Sequence, residues 1–175
     1  MDIEVIAVSG SVHGGKLRSG GAVFRCALGR GGIASSKNEG DGATPAGRFP
    51  LREVLYRADR GPAPATGLPV RVIEASDGWC DAPQDPNYNR QVSHPYPASA
   101  ERLWRDDGLY DLIVVIGYND APPVPGAGSA IFLHLAARDL GPTEGCVALA
   151  RPDLKAVLAG CGAGTHINIA LTAAD

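Results

Sequence analysis

Two side chains carry most of the chemistry this sequence offers. Cys146 lies in the run Gly141-Pro142-Thr143-Glu144-Gly145-Cys146-Val147-Ala148-Leu149, and His134 follows the apolar run Ala130-Ile131-Phe132-Leu133, twelve residues before the cysteine. A thiol directly after a glycine, with apolar residues following, suits a nucleophile at the mouth of a strand, where neighbouring amides face a developing oxyanion. An imidazole ending an adjacent strand stabilises a thiolate and carries a proton between nucleophile and leaving group. The same spacing also fits a plain core cysteine beside a structural histidine.

Short strands must position these groups. Candidates are Ile3 to Val8, Ala22 to Leu28, Phe49 to Tyr56, Leu68 to Ala75, Asp111 to Gly117, Ala130 to Leu135, Cys146 to Leu149 and Thr165 to Leu171, most of them β-branched and separated by glycine or proline. Two helices are expected. Ser99 caps a turn holding Glu101, Leu103 and Trp104, and Pro152 opens a helix with Asp153 in its first turn, Leu154, Val157 and Leu158 on one face, and a stop at Gly160. The segments Gly29 to Arg48 and Ser76 to Pro97 are too long for plain connections and hold charged and aromatic residues, which favours function over disorder. The glycine-rich part of the first reads either as tight turns or as a substrate-facing loop, and the GxxxxGK[ST] order of a phosphate loop is absent.

With 175 residues, 45% of them hydrophobic, the chain can bury one core, and a single domain over 1–175 is expected. A formal charge of -3 with scattered charges offers no footprint for nucleic acid. The 23 glycines and 14 prolines point to turns and strands, hence a mainly β fold. Cys26, Cys80, Cys146 and Cys161 lack CxxC spacing. With Cys146 working as a thiol, at most one disulfide is left to the other three. His13, His94 and His166 have no carboxylate or cysteine at ligand spacing, so neither a metal nor a cofactor is expected. The stretch Met1 to Val8 is acidic where a signal peptide is basic and alternates like a strand, so no export signal or transmembrane span is read from it.

The segment Glu39-Gly40-Asp41-Gly42-Ala43-Thr44-Pro45-Ala46-Gly47-Arg48-Phe49-Pro50-Leu51 resembles the TPxGxF region of the YkuD-type L,D-transpeptidases, and Ile131 to Leu149 resembles their His…GC block. The similarity extends over Trp79-Cys80-Asp81 and Tyr118-Asn119-Asp120, and it matches the compact proteobacterial branch with a single catalytic domain. It implies a β-sandwich or capped β-barrel, with Cys146 as nucleophile and His134 as its base. The imidazole is then oriented by the backbone carbonyl of Leu135, and the amides of Gly145 and Cys146 are the candidate oxyanion donors. Glu144 stands where the family motif has His, and Ala148 where it has Asn or Arg, while Thr143 keeps the hydroxyl position.

The implied activity is peptidoglycan crosslinking through a cysteine acyl-enzyme that joins donor and acceptor stem peptides. A 1→3 bridge from L-Ala to diaminopimelate is favoured slightly over a 3→3 bridge. The neighbouring alternatives are hydrolysis of stem peptides and a retired cell-wall-binding domain. Carbapenem β-lactams are the implied inhibitors. The substrate implies action in the periplasm or cell envelope, with the cytoplasm as the alternative. Candidate substrate contacts are Thr143, Glu144, Trp79, Asp81, Tyr88, Asn89 and Arg90. Among arginines near the motifs, Arg90 is preferred to Arg48 and Arg151 as a clamp for a stem carboxylate. Trp79 fits a core plug as well as a stacking platform, and Glu144 a solvated turn as well as a contact for a substrate amine.

Overall fold

The structure, a computed structural model, describes residues 2–171. Its strands in chain order are β1 (Asp2–Ala7), β2 (Gly14–Ser19), β3 (Ala22–Ala27), β4 (Ile33–Ala34), β5 (Thr44–Pro45), β6 (Gly47–Tyr56), β7 (Val70–Val72), β8 (Asp77–Cys80), β9 (Gln91–Ser93), β10 (Ala100–Arg102), β11 (Leu112–Ile116), β12 (Phe132–Leu135), β13 (Val147–Leu149) and β14 (His166–Ala170). The principal sheet runs β11-β12-β13-β3-β2-β1-β14-β6-β7, and a further pairing of β11 with β6 closes eight of these strands into a barrel. Closure leaves those strands without free edges. The protein is a mainly β, capped barrel.

Strand alternation divides the core in two. On β11, Leu112, Val114 and Ile116 face the barrel interior with Val5, Leu17, Leu133, Val147 and Ile167. The intervening Ile113 and Val115 point outward, where they pack with Trp79, Leu103 and Phe132. A three-stranded sheet, β10-β8-β9, supplies Trp79 and covers this outer face. The cap and the barrel wall enclose the second cluster, and Cys146 belongs to it.

The helix α1 (Arg151–Ala159) opens with Pro152 in its first turn, buries Leu154, Val157 and Leu158, and ends at Gly160, as the spacing predicts. The second expected helix does not form. Residues around Ser99 make β10 instead, because Ala100, Glu101 and Arg102 pair with Cys80, Trp79 and Gly78 of β8, and a sheet partner overrides one capping residue and a short apolar spacing. A 3₁₀ turn at Ala58–Arg60 is a further helical piece among the described residues. Both long connections contain strands: β4 pairs with β5 within Gly29 to Arg48, and β8 pairs with β9 within Ser76 to Pro97. All four cysteines are buried free thiols. No helix among the described residues is long and apolar enough to cross a membrane.

Candidate active site

Cys146 and His134 are brought to one cleft by the pairing of β12 with β13. These strands run parallel, with Leu133 opposite Val147 and His134 opposite Ala148. Alternation turns Leu133, Leu135, Val147 and Leu149 into the barrel and leaves His134, Cys146 and Ala148 on the outer face. There all three line one cleft of about 530 Å³.

The imidazole is held by its own strand. His134 Nδ1 lies 2.9 Å from the Leu135 carbonyl oxygen; a carbonyl only accepts, so Nδ1 carries the proton and Nε2 is the basic nitrogen. The Tyr110 ring meets the imidazole edge-on, with centroids 5.2 Å apart. Tyr110 in turn donates its hydroxyl to Glu101 at 2.5 Å. The thiol is held by main chain: Cys146 Sγ accepts from the Phe132 amide at 3.4 Å and donates to the Ala130 carbonyl at 3.3 Å.

Burial keeps this pair neutral. It pushes the Cys146 thiol up to about 12, with the Glu101 carboxylate adding, while the Phe132 amide and the charges of Lys37 and Arg105 oppose. It also pushes His134 down to about 4 against the pull of the Leu135 carbonyl. At neutral pH the resting site is therefore a thiol beside a neutral imidazole, not the preformed thiolate pair that adjacency alone suggests.

The turn leading into Cys146 is tied to the segment around Thr44. Thr143 Oγ1 donates to the Cys146 carbonyl at 2.7 Å and accepts the Gly145 amide at 3.1 Å. Fully buried Thr44 accepts the Gly29 amide at 2.8 Å and reaches the Cys146 carbonyl at 3.5 Å. Gly145 has φ +133°, and a Cβ there would lie 2.8 Å from the Ala43 carbonyl, so the close approach of these segments requires glycine. With the Gly145 amide engaged by Thr143, the Cys146 amide is the better placed of the two oxyanion candidates.

The other expected site residues divide by position. Asp81 lines the cleft, and its Oδ1 is enclosed without a hydrogen-bond partner. Trp79, Tyr88 and Asn89 are buried behind the wall. Trp79 stands edge-on to Phe132 at 5.1 Å and donates Nε1 to Asn89 Oδ1 at 2.9 Å. Asn89 Oδ1 also accepts the Ala130 amide at 3.0 Å, and its Nδ2 donates to the carbonyls of Tyr118 and Asn119. Tyr88 donates its hydroxyl to Glu39 and accepts the Gly128 amide. These three side chains shape the segment that carries the Ala130 carbonyl. Arg90 is exposed and lines a different pocket, with Arg52, Glu53 and Asp120. Glu144 is exposed at the cleft rim and pairs with Arg30 at 2.9 Å. Arg48 pairs with Asp2, and Arg151 with Asp111.

Glu39, Glu101, Arg105 and Tyr110 also line the cleft, and motif spacing did not single them out. Glu101 is pushed up by burial, with the charges of Asp81 and Glu39 adding and Tyr110 and Arg105 opposing. The wall facing the thiol is therefore rich in carboxylates. No group of three or more His, Cys, Asp or Glu able to hold a metal occurs among the described residues.

Comparison with curated proteins and with solved structures yields no match. The family model of the YkuD L,D-transpeptidase catalytic domain, however, matches residues 11–169, a span that includes the Thr44 segment, the capping sheet, His134 and Cys146. The barrel and the cysteine cleft thus have their family: the chain belongs to the YkuD L,D-transpeptidases.

Proposed function

We propose that the protein crosslinks peptidoglycan stem peptides by acyl transfer through Cys146. The observation that carries this reading is the placement of Cys146 and His134 on neighbouring parallel strands, opening onto one cleft, with His134 Nδ1 engaged by the Leu135 carbonyl. Nε2 takes the thiol proton as Sγ attacks a donor carbonyl on the L-centre side. The oxyanion forms against the Cys146 amide. Collapse passes the proton from the imidazolium to the departing amine and leaves a thioester. An acceptor that arrives as an ammonium first gives up one proton to solvent; the free amine then attacks the thioester, Nε2 takes a second proton from it and returns that proton to the departing sulfur, and the thiol is released with a new peptide bond.

The carboxylates of Glu39, Asp81 and Glu101 in the cleft favour an acceptor that arrives as an ammonium, as the side-chain amine of diaminopimelate does. Ala148, on the cleft floor beside His134, brings no polar group to a donor carboxylate. That supports a short donor ending at L-Ala, and hence a 1→3 bridge in preference to 3→3. Among the substrate contacts, Asp81, Thr143 and Glu144 act from the cleft, whereas Trp79, Tyr88 and Asn89 act by shaping its wall. Such a substrate places the protein at the cell envelope, and a carbapenem is expected to acylate Cys146.

The test is incubation with purified muropeptides, read by mass spectrometry, with Cys146→Ala alongside. Dimers that form with the parent protein and not with the variant support transfer, and fragmentation of the dimer identifies the donor residue. Loss of mass without dimers makes the protein a hydrolase. An unchanged substrate, together with no carbapenem adduct, would refute the acyl-enzyme reading and leave a binding domain.

A further inference from the structure

Lys37 places a charge where a protein interior rarely keeps one. Its side chain is 3% exposed, and Nζ pairs with Asp41 Oδ1 at 2.7 Å and reaches the Asn38 carbonyl at 3.4 Å. The aliphatic stem lies against Gly128, where an added Cβ would come within 2.8 Å of Cε, and Nζ lies 3.5 Å from where a Cβ on Gly145 would sit. The ammonium is thus lodged between the glycine before the nucleophile and the segment leading to the Ala130 carbonyl, which receives the thiol hydrogen.

Closing the local turn does not require it. Asp41 already accepts the amides of Asn38 at 2.7 Å and Ala43 at 2.8 Å, so the Asx-type turn is satisfied without a lysine. Burying an ammonium costs several kcal/mol unless it is paired, and a surface lysine would hold Asp41 at less cost. Within a poorly polarisable interior, however, a fixed cation acts strongly on a charge forming nearby. The other charged and titratable groups lining the cleft with Cys146 are Glu101 on β10, Arg105 and Tyr110 in the segment that follows, His134 on β12, Asp81 just after β8, Glu39 in the segment before β5 and Glu144 at the rim. Arg105 is partly exposed and engaged by Asp107. Lys37 is the enclosed cation of this set.

We infer that Lys37 is a positioning residue for the nucleophile, whose buried ammonium behind the Gly145–Cys146 turn stabilises negative charge as it develops on the sulfur. The inference rests on Cys146 being the nucleophile. Its test reads the acidity of the thiol, so it can fail while peptide transfer stands, and the reverse also holds.

The discriminating pair is Lys37→Met, which removes the charge and keeps the stem, and Asp41→Asn, which removes the counter-charge and keeps the ammonium. Both break one ion pair, and Asp41→Asn also gives up one of the two amide bonds its carboxylate accepts, so a purely structural role predicts lower thermal stability for both and no change in thiol acidity. The electrostatic role predicts opposite signs. Iodoacetamide alkylation of the Cys146 peptide, followed by mass spectrometry between pH 7 and 9.5, reports the thiolate fraction. Lys37→Met should displace the profile upward by about one pH unit, a roughly tenfold slower rate at fixed pH. Asp41→Asn should displace it downward, and Lys37→Arg should keep the parent profile. If Lys37→Met does not fold, Asp41→Asn decides alone. Profiles that stay in place, or an upward displacement for Asp41→Asn, overturn the inference.

Discussion

Acidification offers a direct test of how deeply His134 is buried in a neutral form. Its imidazole titrates near 4 in the folded protein against an ordinary value of 6.5, because burial disfavours the cation. Between those values the unfolded chain binds the proton and the folded one does not, so folding stability must fall as pH falls through this window. Each pH unit of separation corresponds to about 1.4 kcal/mol, and the loss between pH 7 and 4.5 comes to about 2 kcal/mol from this one group. Aspartates held low by partners, such as Asp41, Asp77 and Asp107, also weaken the fold in acid, so the comparison must be differential. Urea unfolding at pH 7, 5.5 and 4.5 is compared between the parent protein and His134→Gln, which cannot take up a proton in this range. The variant should lose less stability on acidification by about 2 kcal/mol, with the gap opening below pH 6.5. Parallel slopes for the two proteins would show that the folded imidazole protonates as readily as the unfolded one, and the neutral resting pair would have to be abandoned.

Asn89→Ala strips acceptors or donors from Trp79, Ala130, Tyr118 and Asn119 in one step, and should cost about 3 kcal/mol or more in chemical denaturation. Thr143→Val removes the bonds to the Cys146 carbonyl and the Gly145 amide; a loss of about 1–2 kcal/mol and slower acylation by a carbapenem are expected, measured by unfolding and by stopped mass spectrometry. Gly145→Ala drives a methyl to within 2.8 Å of the Ala43 carbonyl at a backbone angle that alanine resists, so acylation of Cys146 should fall further than with Thr143→Val. Glu101→Gln should weaken use of the acceptor amine, seen as a raised KM in the muropeptide assay. Glu144→Ala, which breaks an exposed pair with Arg30, should leave stability within about 0.5 kcal/mol of the parent.

Much of the candidate site was legible because Cys146 and His134, its two candidate reacting groups, lie at or next to strands with local signatures. The apolar run before His134 and the glycine before Cys146 marked β12 and β13, and the parallel pairing brings both residues to one cleft. The helix α1 was equally plain, since its proline, its apolar spacing and its terminal glycine are all local signals. β2 was missed because Leu17 is its one large apolar residue, yet a sign was present: Gly20-Gly21, both with positive φ, join Ser19 and Ala22 as a two-residue hairpin turn. The helix expected at Ser99 failed for the opposite reason, a local capping signal with a distant strand competing for the same backbone. Lys37, Glu101 and Tyr110 could not be found by spacing at all. They come from three separate segments, and their importance arises from where the cap and the loop before β5 bring them.

That division explains how the chain accommodates its departures from the family motif. With Glu144 held at the rim by Arg30 and Ala148 small and apolar beside His134, the strand bearing the nucleophile contributes little charge to the floor of the cleft. The charge comes from the surrounding segments: Glu101 on β10, Asp81 just after β8, Glu39 in the segment before β5, and Lys37 behind the turn. The carboxylates line the cleft, with Glu101 near enough to oppose a thiolate at Cys146, and the enclosed ammonium of Lys37 lies beside Gly145. The two charges act on the thiol in opposite directions, since a carboxylate opposes and an ammonium favours formation of a thiolate. Lys37 therefore offsets part of what Glu101 imposes on the sulfur, and both charges come from segments outside the strand that follows Cys146.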